Sequence, residues 1–147
     1  MVKIDALKIR PPKPTDLNFI QSTFLKSMKR ESTLGAQCAG DLFFNEFQKV
    51  VDRILSRSKI VVACVSENED SILGYLIFEP ECIHYAYVRP SSRLLDIAKD
   101  MVHEAFPDAK SIKYSLTTND SRQIQKKHPE LVCNPFALYQ RGAHAND

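Results

Sequence analysis

The sequence predicts a mixed α/β domain of the α+β kind, with a mostly antiparallel sheet flanked by helices. Three observations carry that prediction. Residues 59–65 form a β-branched run, residues 67–70 a polar turn and residues 72–79 a second apolar run, the pattern of an antiparallel hairpin. Two stretches with apolar residues at helical spacing precede the hairpin, at about residues 16–30 and 41–57. After it come an apolar strand pattern at 82–88, an amphipathic stretch from Arg93 and an alternating segment at 111–117. Strand, helix and strand in that succession predict a parallel pair joined by a right-handed crossover.

In chain order, Leu7-Lys8-Ile9-Arg10 alternates apolar and polar residues, and Pro11, Pro12 and Pro14 end this first strand because they cannot donate ladder hydrogen bonds. Thr15 is a good N-cap and Asp16 suits a first helical turn; Leu17, Ile20, Phe24, Leu25 and Met28 then share one face. Ser32, Thr33, Gly35 and Gly40 mark residues 31–40 as a loop. Leu42, Phe43, Phe47, Val50, Val51, Ile54 and Leu55 give the second helix, with Asp41 as its cap. Pro80 stops the hairpin, and the near-continuous apolar character of 82–88 suits a central strand. Leu94, Ile97, Ala98, Met101, Val102 and Ala105 put one helical face on the sheet, and Pro107 ends that helix. Asn119 is the expected cap of a short helix over 120–128, and residues 131–139 a last strand that Pro135 confines to an edge or bulge.

At 147 residues, 44% apolar and 26% charged, the chain is expected to form one soluble domain over residues 1–140, followed by a disordered tail at 141–147. No apolar run approaches the ~20 residues of a membrane helix, and the N-terminus lacks a secretory pattern, so the expected location is cytoplasmic. Cys38, Cys64, Cys82 and Cys133 show no Cys-x-x-Cys spacing and are expected as reduced thiols in apolar surroundings. A net charge of +2 without clustered basic residues argues against a nucleic-acid partner. The turn between the strand at 82–88 and the next helix is a natural anion seat, because the first helical N–H groups lack intrahelical partners and the dipole favours negative charge there.

Ile9-Arg10-Pro11 with Thr15-Asp16-Leu17, Ile72-Leu73-Gly74-Tyr75, and Tyr87-Val88-Arg89-Pro90-Ser91-Ser92-Arg93 stand at the first strand and helix, the third strand and the exit of the fourth. With these motifs and this element order the chain resembles the GNAT (Gcn5-related N-acetyltransferase) superfamily over residues 7–139. Phe19-Ile20 with Phe24-Leu25-Lys26-Ser27, and Asn134-Pro135-Phe136, look more narrowly like GNAT-like proteins of tailed bacteriophages. The resemblance implies acetyl transfer from acetyl-CoA to the amine of a small molecule or protein. The implied cofactor-binding residues are Tyr87 and Val88 at the strand exit, Arg93, Leu94, Leu95, Asp96, Ile97 and Ala98 in the loop, and Asn119 on the pantetheine arm. A phage origin would add a host cytoplasm or virion as location and a phage or host protein as partner, with a catalytically silent assembly module as the alternative function.

The superfamily's Arg/Gln-x-x-Gly-x-Gly/Ala keeps its first and last positions in Arg93 and Ala98 but has Asp96 for the central glycine. A carboxylate near a pyrophosphate repels it by about 1–4 kcal/mol at separations near 4 Å, which predicts weakened coenzyme binding; as an acid in a helix's first turn Asp96 would instead favour the dipole. No catalytic base is assigned. The position of a strand-four glutamate base falls on Cys82, with Glu81 one residue off and on the other face. His84 has the ordinary pKa of a base but fits a hydrogen-bonded structural role as well, and it is expected on the face opposite Tyr85 and Tyr87.

Overall fold

A computed structural model describes residues 7–80, 82–95, 97–108, 111–127 and 129–138. Six strands lie side by side in sequence order, β1 (Leu7–Arg10), β2 (Lys59–Val65), β3 (Asn68–Glu79), β4 (Cys82–Val88), β5 (Ile112–Tyr114) and β6 (Leu131–Cys133). The first four pair antiparallel, as the hairpin pattern predicts. β4 and β5 pair parallel, and so do β5 and β6, one parallel step more than the sequence indicates.

The helices are α1 (Leu17–Glu31), α2 (Thr33–Gln37), α3 (Gly40–Arg57), α4 (Ile97–Ala105) and α5 (Asn119–Lys127). The apolar stripes of α1 and α3 close one face of the sheet. Ile20, Phe24, Val51 and Ile54 are buried there with Tyr75 and Tyr85, and Phe24 stacks on Tyr85 at 4.5 Å between ring centroids. Such ring pairs add about 0.5–1.5 kcal/mol beyond the area they bury. The other face packs Leu76 and Phe78 of β3 and Ile83 of β4 against Ile97 and Met101 of α4. Gly74 of β3 permits this packing: a Cβ there would lie 2.5 Å from the Tyr87 carbonyl oxygen and 3.3 Å from Met101 Cε.

Where structure and sequence expectation part, local hydrogen bonding explains the difference. Asp16, not Thr15, precedes α1 as its cap, at the end of a 3-10 turn over Pro14–Asp16. Its buried carboxylate accepts from both terminal nitrogens of Arg10, at 2.8 and 3.2 Å, and from the Lys13 backbone N–H at 2.7 Å. The expected loop at 31–40 holds the five-residue α2, started by Ser32, whose Oγ accepts from the Gly35 N–H. β3 begins at Asn68, inside the expected polar turn, because Lys8 and Lys13 hold the Glu69 side chain while Arg10 donates to its carbonyl. Asn119 is the first residue of α5 and Thr118 precedes it as the cap: the Ser121 N–H donates to Thr118 Oγ1 and the Thr118 N–H to Ser121 Oγ. The expected strands at 111–117 and 131–139 shrink to the three-residue β5 and β6, and Pro135 opens a 3-10 turn over Pro135–Leu138. Of the cysteines, Cys64 and Cys82 are buried, Cys38 half-buried and Cys133 exposed, all as free thiols. The expected tail at 141–147 lies outside the described residues.

Candidate functional site

Parallel pairing of β4 and β5 is brief. Cys82 faces Lys113, Ile83 faces Tyr114, and the Ser115 N–H donates to the Ile83 carbonyl at 3.0 Å. Beyond this point Tyr85 and Ala86 on β4, and Leu116 and Thr118 after β5, line one cavity of about 350 Å³. The α4 side contributes Ala98, Lys99, Val102 and His103, and the α5 side Ser121 and Ile124. Ligand sites in open α/β sheets form where neighbouring strands part beyond their carboxyl ends, and this opening has that position.

At the root of the opening β4 carries a bulge. Tyr85 pairs with Ile77 and Ile83 with Phe78, which leaves His84 as the extra residue. The bulge breaks the alternation of faces, so His84 turns to the α1–α3 side, the side of Tyr85, contrary to the alternation expected from the sequence. There its Nε2 lies 2.7 Å from Glu79 Oε2 and its Nδ1 2.6 Å from Ser115 Oγ. The same Glu79 oxygen accepts from Arg57 Nε at 2.8 Å, and Arg57 Nη2 donates to the Ala137 carbonyl at 3.1 Å.

This chain assigns the protons of His84. Glu79 Oε2 acts as acceptor toward Arg57, and in the same role it accepts the Nε2 proton; Nδ1 is then the acceptor for the Ser115 hydroxyl. Burial pushes the imidazole pKa below its ordinary 6.5, with Arg57 adding to the shift and Glu79 opposing it. Cys82, opposite Glu79 in the register, has its thiol pushed up to about 11 by burial and by the nearby Glu79 charge. With both ring nitrogens engaged and its side chain 0% exposed, His84 has the hydrogen-bonded structural arrangement weighed against its use as a base.

The sequence-predicted cofactor residues fall unevenly around the cavity. Ala98 lines it. Ile97, its neighbour, is buried in the core beneath α4. Tyr87 and Val88 end β4 opposite Tyr75 and Gly74, with Tyr87 stacked on Tyr75 at 5.2 Å. Arg93, Leu94 and Leu95 lie in a 3-10 turn over Pro90–Leu95 that leads toward α4, and Asn119 starts α5 beside the cavity-lining Thr118. Asp96 lies outside the described residues. Sequence reasoning missed Glu79, Ser115 and Arg57. A signal for Glu79 was available: the hairpin between β3 and β4 pairs Glu79 with Cys82 and brings it within reach of His84.

No family model matches the sequence, and no curated protein matches it. Solved structures do. Apo-form YjaB from Escherichia coli superposes with a TM-score of 0.62 at 15% identity, over 82% of this chain and 80% of its own. A GCN5-related N-acetyltransferase from Rhodopseudomonas palustris gives 0.56 at 16% identity, over 86% and 83%. A GNAT family acetyltransferase from Brucella melitensis, solved in complex with acetyl-CoA, gives 0.51 at 15% identity, over 80% of each chain. The mixed six-stranded sheet and its flanking helices are therefore the fold of the GNAT acetyltransferases.

Proposed function

We propose that this protein is an acetyl-CoA-dependent N-acetyltransferase acting on an amine. The observation that carries the reading is the cavity at the parting of β4 and β5, walled by α4 and α5, in a fold shared with an acetyltransferase solved with acetyl-CoA. Its walls suit a pantetheine arm. Ala98 is small at the first turn of α4, Leu116 and Val102 are apolar, and Lys99 adds a positive charge at the rim for a phosphate.

Acetyl-CoA would supply an activated thioester. The chain's part is to hold the thioester carbonyl at the parting of the strands and keep water from it, while a neutral amine attacks the carbonyl carbon, the C–S bond breaks and the surplus amine proton ends on the departing coenzyme A thiol. Arg93 and the turn into α4, together with Tyr87, Val88 and Asn119, are the proposed contacts of the phosphates and upper arm.

Titration calorimetry with acetyl-CoA, paired with thermal melting, tests the reading. Saturable heat and a raised Tm are expected; no heat and no shift at millimolar ligand would refute it. Asp96→Gly is expected to tighten binding tenfold or more if the carboxylate faces the phosphates.

A further inference from the structure

The cavity does not stop where the strands part. Alongside the closed pairs of β4 and β5 it continues between α4 and α5 as far as Phe106 and Pro107 beyond α4, Ile112 on β5 and Leu131 on β6. In a strand–helix–strand crossover the helix runs antiparallel to its strands, so Ala98 marks the upper end and Phe106 the lower. They are eight residues apart, about 12 Å at 1.5 Å per residue.

The lower half is apolar, and its polar atoms satisfy one another. The Tyr114 hydroxyl donates to Gln125 Oε1 at 2.7 Å, and Gln125 Nε2 donates to the Leu131 carbonyl at 3.0 Å. Facing the space are Val102, Phe106, Pro107, Ile112, Ile124 and Leu131, with the exposed His103 and Glu130 at its outer rim. An acetyl thioester seated at the parting would leave the apolar wall of this half against water, and covering it with hydrocarbon is favourable.

We propose that the donor site takes acyl groups longer than acetyl, a medium-length unbranched chain lying in the lower half between α4 and α5. This rests on the reading that the donor is a coenzyme A thioester. The chain's methylenes replace water along the apolar wall, while the pantetheine arm keeps the upper half.

Calorimetry with free CoA, acetyl-, hexanoyl- and decanoyl-CoA, below their micelle concentrations, tests the proposal. Affinity is expected to rise about fourfold per buried methylene from acetyl to hexanoyl. Leu131→Trp and, separately, Ile124→Trp would each narrow the lower half and are expected to cut the hexanoyl-to-acetyl affinity ratio tenfold or more, with folding checked by urea melts. Hexanoyl-CoA binding no tighter than acetyl-CoA overturns the proposal and leaves the acetyltransferase reading standing. A preference for long chains that both variants keep also overturns it, because the chain then lies elsewhere. No binding by any thioester overturns both.

Discussion

Replacing His84 by Phe keeps most of the side-chain volume while removing both ring nitrogens from a fully buried network. One lost bond is charge-assisted, Nε2 to Glu79 at 2.7 Å, and contributes about 1.5–3 kcal/mol; the other, Ser115 to Nδ1 at 2.6 Å, contributes about 0.5–1.5. The variant should therefore lose roughly 3 kcal/mol at pH 7.5, read from urea unfolding. The second part of the prediction concerns pH. Burial lowers the folded-state pKa of His84, so its contribution is complete above the unfolded value of 6.5 and is lost as pH falls through the lower folded one. At pH 5.5, one unit below 6.5, the unfolded chain gains at most about 1.4 kcal/mol by protonating this histidine. The gap between wild type and variant should thus shrink by up to that amount between pH 7.5 and 5.5. A gap that stays constant or widens on acidification would show an imidazolium paired with Glu79 in the fold, and would refute the neutral tautomer assigned to it.

Other perturbations have definite outcomes. Gly74→Ala places a methyl group 2.5 Å from the Tyr87 carbonyl oxygen and against Met101, and should cost about 1–3 kcal/mol in urea melts as α4 is pushed off the sheet. Asp16→Asn leaves the buried Arg10 guanidinium without its counter-charge and should cost about 3 kcal/mol at neutral pH. The Arg10 bond holds the Asp16 carboxyl below its ordinary 3.8, so the wild type's advantage is complete above that value and fades as pH falls through the lower folded one. Under native conditions at pH 8 a maleimide should label the exposed Cys133 well before Cys82, which is buried with its thiol pushed up to about 11; equal rates, followed by peptide mass spectrometry, would contradict the packing around β4.

Much of the fold was legible because its longest elements repeat one signal many times. The β-branched run of β2, the heptad-like stripe of α3 and the apolar run of β4 each commit several residues to one period, and each stands where the sequence places it. What the sequence hid depends on single hydrogen bonds between distant residues. Asn68 to Asp70 read as a turn because nothing local reveals that Lys8, Lys13 and Arg10 pin Glu69. The helix at Thr33–Gln37 hid behind Gly35, a poor helix former that packs on the Met28 and Lys29 backbone. Of the candidate site, the strand-to-helix region after β4 and Ala98 could be found from motif order. The Ser115 end of the Glu79–His84–Ser115 chain could not, because Ser115 lies past the three-residue β5, and the bulge that puts Tyr85 on the face of His84 breaks the alternation that period-two reading assumes.

The lopsided sheet has a consequence for motion. β2 and β3 are seven and twelve residues long, whereas β5 and β6 have three each, and the two thin strands with α5 form one whole wall of the cavity. Opening that wall breaks few backbone bonds, so amide protons of residues 112–133 should exchange with solvent through local opening while those of β3 wait for global unfolding. A molecule bridging α4 and α5 would tie this weakly held wall to α4, which packs on β3. Its arrival would be recorded as slowed deuterium uptake across β5 and β6, including amides it never touches.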